Sequence, residues 1–164
     1  MDRALNSVVD LPVQVLAIDP GLSGAAALVG RGDILVLRDF KTYRALAETV
    51  CALLNVKEPE HLLVELVGAR PGEGVVSMFH FGEATGVGLG ALMSLRPGMV
   101  VERVHPLKWK NFYRRRLVIP KGQPVDSRVI ATTLFPASAK FFKRQKDHNS
   151  ADAVLMAVWK LHQL

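Results

Sequence analysis

The sequence predicts an α/β fold, a five-stranded mixed sheet flanked by helices. Three observations predict it. Short apolar runs with a β-branched bias come first, separated by Pro/Gly or Gly turns, as strands of an antiparallel meander are. Stretches with helical spacing then alternate with further strands, the pattern of parallel crossovers. No internal repeat, low-complexity tract or long linker divides the 164 residues, so one domain is expected over 1–164.

Taken in order, Val13 to Ile18 is a strand. Asp19-Pro20-Gly21 follows as a turn, with Pro presetting φ at the second position and Gly accepting positive φ at the third. Gly24 to Val29 is the second strand, Arg31-Gly32-Asp33 a turn, and Ile34 to Leu37 the third strand. Thr42 is a candidate N-cap for a helix to about Asn55, whose Leu46, Val50, Leu53 and Leu54 fall near helical spacing. Glu58-Pro59 ends it. His61 to Val67 is a strand, and Leu62-Leu63-Val64 suggests burial on both faces. After the Gly/Pro loop Gly68 to Gly74, Val75 to about Leu95 reads as a long helix. It carries Gly82, Gly86 and Gly90 on one face, each costing helix stability on the order of 1 kcal/mol. Another backbone is therefore expected to approach that face, either the sheet or a second copy of the chain. Val100 to Val104 is the next strand, and Pro106 to Arg116 and Pro124 to Phe135 are helical. Asn149 to His162 is a final amphipathic helix with Val154, Leu155, Val158 and Leu161 apolar.

Composition narrows the function classes. Hydrophobic residues make up 49% of the chain, enough for a sizeable core. The single cysteine, Cys51, excludes a disulfide framework within one chain and points to a reducing compartment. Met1 to Asp10 mixes acids with apolar residues, so no secretory signal is expected. No run approaches the roughly 18 apolar residues of a membrane helix. A soluble, cytoplasmic protein with no membrane partner is the expectation. The net charge is +6, unevenly spread. Arg96 to Lys146 holds 13 basic residues against Glu102 and Asp126, a segment charge of +11 that leaves −5 on the rest. Such asymmetry suggests a polyanion-binding face.

Three acids occur where acids are unwelcome. Asp19 ends the first apolar strand, Glu65 sits within the apolar fourth strand, and Asp152 lies near the start of the last helix. Burying a lone carboxylate costs several kcal/mol unless it is paired or metal-bound. Clustered carboxylates can hold two divalent ions about 3.5 to 4 Å apart, which activate water and stabilise the leaving oxygen in phosphodiester cleavage. Mg²⁺ prefers such hard oxygen ligands. Each acid also has a structural reading: Asp19 as turn initiator, Glu65 as a solvent-facing strand end, Asp152 as an acid favoured by the helix dipole. His148 lies one helical turn before Asp152 and can act as a ligand or as a proton-transfer group near neutral pH. Asn149 reads more simply as an N-cap.

Four motifs in order resemble the RuvC-like Holliday-junction resolvases, of phage and bacterial type. Leu16-Ala-Ile-Asp19-Pro-Gly21-Leu-Ser-Gly24 resembles their first motif. Leu63-Val-Glu65, Pro71-Gly-Glu-Gly-Val75 and Met78-Phe-His-Phe81-Gly82 resemble the second. Val104-His-Pro106-Leu-Lys-Trp-Lys110 resembles their Pro/Trp/Lys segment, and His148-Asn-Ser-Ala-Asp152-Ala153 the last motif. The resemblance spans roughly Val13 to Trp159. It implies a ribonuclease-H-like fold and symmetric, paired nicking of four-way DNA by a homodimer. It also implies Mg²⁺, with Mn²⁺ able to substitute, two ions per site and no small-molecule cofactor. It places the catalytic and metal-binding roles on Asp19, Glu65, Asp152 and His148. The sequence departs from the pattern at two points. Where many members carry another acid, His148 and Asn149 stand here, with Asp147 one position further. Where bacterial members carry an aromatic residue three positions after the glutamate, Gly68 stands here, so a wedge would come from elsewhere in the 68–74 loop, Arg70 included.

In this reading Arg70, Lys108, Lys110, Arg114, Arg115, Arg116, Lys121, Lys143, Arg144 and Lys146 contact DNA, supplying salt-sensitive affinity. Trp109, Phe112 and Tyr113 can stack on unpaired bases or pack on the sheet. Phe141-Phe142 supplies aromatic anchors with basic neighbours towards solvent. Two alternatives remain: a ribonuclease-H-like nuclease acting on an RNA–DNA hybrid or structured RNA, and a non-catalytic junction-binding module. A sugar-kinase or actin-like ATPase also begins with Asp-x-Gly on a hairpin, but needs two such domains around a cleft.

Overall fold

Val15 and Ala17 point to one side of the first strand, Leu16 and Ile18 to the other, and all four are buried. A strand buried on both faces belongs at the centre of a sheet covered on both sides. The computed structural model describes residues 13–164 apart from 22, 31, 57, 67, 69–71 and 73. Its elements run β1 (Gln14–Asp19), β2 (Gly24–Gly30), β3 (Asp33–Phe40), α1 (Tyr43–Val56), β4 (His61–Glu65), α2 (Val75–Leu95) and β5 (Val101–Val104). Helices α3 (Pro106–Arg116), α4 (Ser127–Leu134) and α5 (His148–Leu161) follow. Short 3-10 turns over Pro136–Phe142 and Gln145–Asp147 link α4 to α5.

The sheet order is β3-β2-β1-β4-β5. The meander β1-β2-β3 is antiparallel, and β4 and β5 are parallel to β1 and to each other. This is the mixed α/β sheet that the element order predicts. Helices α1 and α2 cover one face, where Leu46, Val50, Leu54 and Leu92 pack on Leu16, Ile18, Leu28 and Val64. Helices α3, α4 and α5 cover the other, against Val15, Ala17, Ala25, Ala27 and Leu63. Small residues meet small residues there: Ala17, Ala25 and Ala27 on the sheet, Ala151, Ala153 and Ala157 on α5. Short side chains on both sides let the α5 backbone lie close to the strands.

The structure corrects several expectations. The last helix is buried from Ser150 to Trp159, because α3 and α4 cover the side that a purely amphipathic helix would turn to solvent. Helix α4 starts at Ser127 with Asp126 as N-cap, its carboxylate accepting from the Arg128 and Val129 amides. The fourth strand ends at Glu65, and Val100 lies outside β5. Gly21 does not use positive φ, whereas Gly32 does, at 73°. Glycine is needed instead at Gly24, where a Cβ would overlap the Asp19 carbonyl oxygen and the Phe40 ring. Gly82, Gly86 and Gly90 are exposed, and a Cβ at each would meet nothing within 4 Å, so the sheet is not what approaches them. Val75, Val76, Phe79 and Met93 are also exposed on α2.

Tyr113 ties α3 to α5. Its ring is fully buried, and its hydroxyl donates to the Leu155 carbonyl at 2.9 Å. Burial holds the phenol well above its ordinary pKa, so it stays a donor. Tyr113→Phe removes one buried hydrogen bond and little volume. The expected cost is about 1 kcal/mol, read as a melting-temperature drop of roughly 2–4 °C by circular dichroism.

Candidate active site

Alternation along the strands decides which way the two strand acids point. Asp19 follows Val15 and Ala17 in parity, and Glu65 follows Leu63, so both project to the face covered by α5. Ile18 pairs with Val64 in parallel register, which sets Asp19 and Glu65 side by side at the C-terminal ends of neighbouring strands. In open α/β sheets that edge is where ligands bind. Asp152 reaches the same place from α5. All three carboxylates are buried: Asp19 is 8% exposed, Glu65 8% and Asp152 9%.

Their electrostatics follow from that crowding. Burial first, then the charges of Glu65 and Asp152, raise the Asp19 carboxyl well above the usual carboxylate range, while Lys110 pulls it down. Asp19 and Glu65 are also hydrogen-bonded to each other. The turn from β5 into α3 brings donors to the other two acids. His105 caps α3, its ring accepting from the Leu107 amide, and Pro106 occupies the first turn. Trp109 Nε1 then donates to Glu65 Oε1 at 3.0 Å, and Lys110 Nζ to Asp152 Oδ2 at 3.1 Å. The Lys110 ammonium also lies 4.8 Å from the Trp109 ring centroid.

The hard-oxygen donor set suits Mg²⁺ or Mn²⁺, and a divalent ion would relieve the repulsion that raises Asp19. Among the described residues, however, no three Asp, Glu, His or Cys side chains converge on a single ion position. Lys110 engages Asp152 and Trp109 engages Glu65.

The residues before Asp152 divide their roles. Asp147 is buried and bound by Arg144, whose backbone amide, Nε and Nη2 all donate to it. Those hydrogen bonds hold the Asp147 carboxyl below its ordinary pKa. Asn149 is not the N-cap of α5. That position is Asp147, and the Asn149 amide donates to the Ser23 carbonyl at 2.6 Å, pinning the β1–β2 connection to α5. His148 is exposed, with Nδ1 3.1 Å from the Gln145 carbonyl. A carbonyl only accepts, so in this contact Nδ1 is the donor. His148 shares an open cavity of about 590 Å³ with Arg144, Gln145 and Lys146.

The basic residues are not equivalent. Lys108, Arg115, Arg116, Lys121, Lys143 and Lys146 are exposed. Arg114 donates to the Pro120 carbonyl at 2.7 Å, Arg144 holds Asp147 and Lys110 holds Asp152. Arg70 lies outside the described residues. Trp109 and Tyr113 are fully buried, which removes them from base stacking, and Phe112 is half-buried with Arg116 over its ring at 4.9 Å. Phe142 is a buried anchor, whereas Phe141 is exposed. The two donors to Glu65 and Asp152 are what sequence reasoning missed. The available signal was chemical: a buried carboxylate needs a donor, and a buried indole N–H needs an acceptor.

No protein-family profile and no curated protein matches the sequence at a significant level. Solved structures do match in fold. Thermus thermophilus RuvC in complex with a Holliday junction substrate aligns with a TM-score of 0.64 at 17% identity, over 92% of this chain and 96% of that one. A further Thermus thermophilus RuvC structure gives 0.63 at 20% identity, over 92% and 95%. The yeast mitochondrial Holliday junction resolvase Ydc2 gives 0.62 at 13% identity, over 97% and 82%. At such identities the likeness lies in the arrangement of elements, and the chain shares the fold of the RuvC structures, a mixed five-stranded α/β sheet flanked by helices.

Proposed function

We propose that this chain is a divalent-metal-dependent endonuclease that resolves four-way DNA junctions by paired, symmetric nicks as a homodimer. One observation carries the reading: three buried carboxylates lie at the C-terminal edge of the central strands, close enough for Glu65 and Asp152 to raise Asp19, with Lys110 of the basic 96–146 segment on Asp152. The solved structures of similar fold are themselves Holliday-junction proteins. Asp19, Glu65 and Asp152 would hold the metal, with His148 completing the set. Two bound divalent ions would supply a nucleophilic water and stabilise the leaving oxygen. Lys110 transfers its ammonium from Asp152 to the scissile phosphate, which frees the carboxylate for metal and neutralises charge on the phosphate. His148 serves either as that fourth ligand or, with the position left to water, as a proton-transfer group at the reacting oxygen. Asp147 and Asn149 are engaged elsewhere, which favours His148 as the fourth member. Exposed Lys108, Arg115, Arg116, Lys121, Lys143 and Lys146 bind the DNA backbone.

The homodimer has a surface available to it. The exposed glycine stripe of α2, bordered by Val75, Val76, Phe79 and Met93, lets a second helix approach closely. A two-fold junction presents two equivalent scissile phosphates, which a two-fold dimer matches.

The test is cleavage of a synthetic four-way junction beside linear duplex and RNA–DNA hybrid, in Mg²⁺, in Mn²⁺ and in chelator. Paired nicks in the junction alone, lost in chelator, are expected. Preferential cutting of the hybrid would move the activity to another ribonuclease-H-like class. Because the carboxylates are engaged by Trp109 and Lys110, a second reading is a junction-binding module, and tight binding without cleavage in either metal would establish it.

A further inference from the structure

Helix α3 carries cations on two opposed faces. Lys110 faces the carboxylates, with its ammonium on Asp152. Lys108 stands two residues before it and Arg115 five after, so each lies roughly 150° round the helix from it. Lys108, Asn111 and Arg115 share one side instead, at steps of three and four residues. With Arg116, Phe112 and Trp159 they line a cavity of about 570 Å³, to which Lys110 does not contribute. Trp159 stands seven residues along α5 from Asp152, a distance of about 10 Å. The cavity is therefore separate from the carboxylates.

Its chemistry is one-sided. Lys108, Arg115 and Arg116 line it, and among the described residues no acid does. Arg116 is held in place, its guanidinium 4.9 Å from the Phe112 ring centroid and 3.3 Å from Nδ1 of His162. Lys108 and Arg115 are exposed, and neither has a side-chain hydrogen bond or ion pair among the described residues. Like charges gathered without counter-charge repel one another, and a bound polyanion relieves that repulsion. The row Lys108–Asn111–Arg115 rises about 10 Å along the helix, roughly three base-pair steps of 3.4 Å each. Two cations flanking an amide at that spacing suit phosphate oxygens along one strand.

We propose that this outer face of α3 is a second nucleic-acid contact: it takes the backbone of a duplex arm other than the one at the carboxylates, and so favours branched over linear DNA. Helix α3 is embedded beside α5, which supplies Trp159 to the cavity and the Leu155 carbonyl to Tyr113. It does not project as a helix entering a groove must, so one duplex reaches one face at a time. The inference rests on the reading of the chain as a DNA-junction protein, but not on its cutting the DNA.

The double variant Lys108→Ala, Arg115→Ala removes two exposed cations and leaves the core intact. Binding is measured in chelator over a range of salt, to a four-way DNA junction and to a linear duplex of the same arm sequence. On the junction, the slope of log affinity against log salt is expected to fall by about two, with affinity at physiological salt down roughly tenfold or more. The linear duplex still has the other face, so its affinity should change by less than about twofold. Equal losses on the two DNAs would mean that one duplex straddles α3, and would overturn the proposal. An unchanged junction slope would overturn it as well. Polyglutamate that binds the wild type and not the variant, with junction binding equal in both, would assign the cavity to an acidic peptide instead. Cleavage is scored separately. A wild type that cuts nothing but shows the junction-specific loss keeps the second contact and loses the nuclease reading. A wild type that cuts junctions, with equal losses on both DNAs in the variant, keeps the nuclease and loses the second contact.

Discussion

Asp19→Asn is expected to abolish junction cleavage and, in chelator, to raise the thermal stability of the protein. The loss of activity should be about a thousandfold or more, as for other groups that touch the reacting centre. The gain in stability comes from the same cause as the function. The folded protein holds a proton on Asp19 more tightly than the unfolded chain does, because ionising it puts charge into a buried site beside Glu65 and Asp152. Below the ordinary carboxyl value near 3.8 both states are protonated and Asp19 imposes no penalty. As pH rises towards the raised folded value, the unfolded chain ionises freely and the folded protein does not, so wild-type stability falls. Asparagine does not titrate. The difference in melting temperature should therefore open from about pH 4, widen until the folded value is passed, and then level off. Its scale is roughly 2–4 °C per kcal/mol for a chain of this size. Mg²⁺ or Mn²⁺ should close the gap by stabilising the wild type and not the variant. Scanning calorimetry across pH, with and without metal, reads every part of this. A variant less stable than the wild type at neutral pH in chelator would mean that Asp19 is structurally paired rather than strained by its neighbours.

Gly86→Glu is expected to convert a dimer into a well-folded monomer. Gly86 lies mid-helix on the exposed stripe of α2, and its Cβ position is open. Within one protomer the substitution can only help, since glutamate is better by roughly 1 kcal/mol than glycine in a helix interior. In a symmetric interface it places two unpaired carboxylates on the surface where the α2 helices meet. Burying them should weaken association by at least about 100-fold, or ~3 kcal/mol. Sedimentation should show monomers at concentrations where the wild type is dimeric. Paired nicks should give way to single, uncoupled ones. A Gly86→Glu protein that stays dimeric would place the interface elsewhere, and a monomeric wild type would end the homodimer reading altogether.

Much of this architecture was legible in the chain order of the residues. The apolar, β-branched run of Val13 to Ile18 and the continuous apolar run at Leu62-Leu63-Val64 report burial on a sheet, and both strands are interior to it. Leu46, Val50, Leu53 and Leu54 repeat near 3.6 residues and all face the core. Pattern of this kind is local, so it survives without knowledge of the fold. Asp19, Glu65 and Asp152 were legible for a related reason: a charge inside an apolar stretch is conspicuous wherever the stretch ends up.

What surrounds those acids was decided only in three dimensions. Trp109 meets Glu65 across 44 positions of sequence and Lys110 meets Asp152 across 42, and no local period links residues so far apart. The separate fates of Asp147 and Asn149 depend on Arg144 folding back and on the β1–β2 connection passing above α5. The glycine stripe shows the same division. Its spacing is visible in the sequence, but the sheet packs against the opposite side of α2, around Ala84 and Leu92, and only that packing leaves Gly82, Gly86 and Gly90 facing outward. The sequence by itself determined which elements form and which residues are chemically costly to bury. The tertiary structure decided which partners those residues meet, because partner choice depends on how the strands register and where the helices cross them.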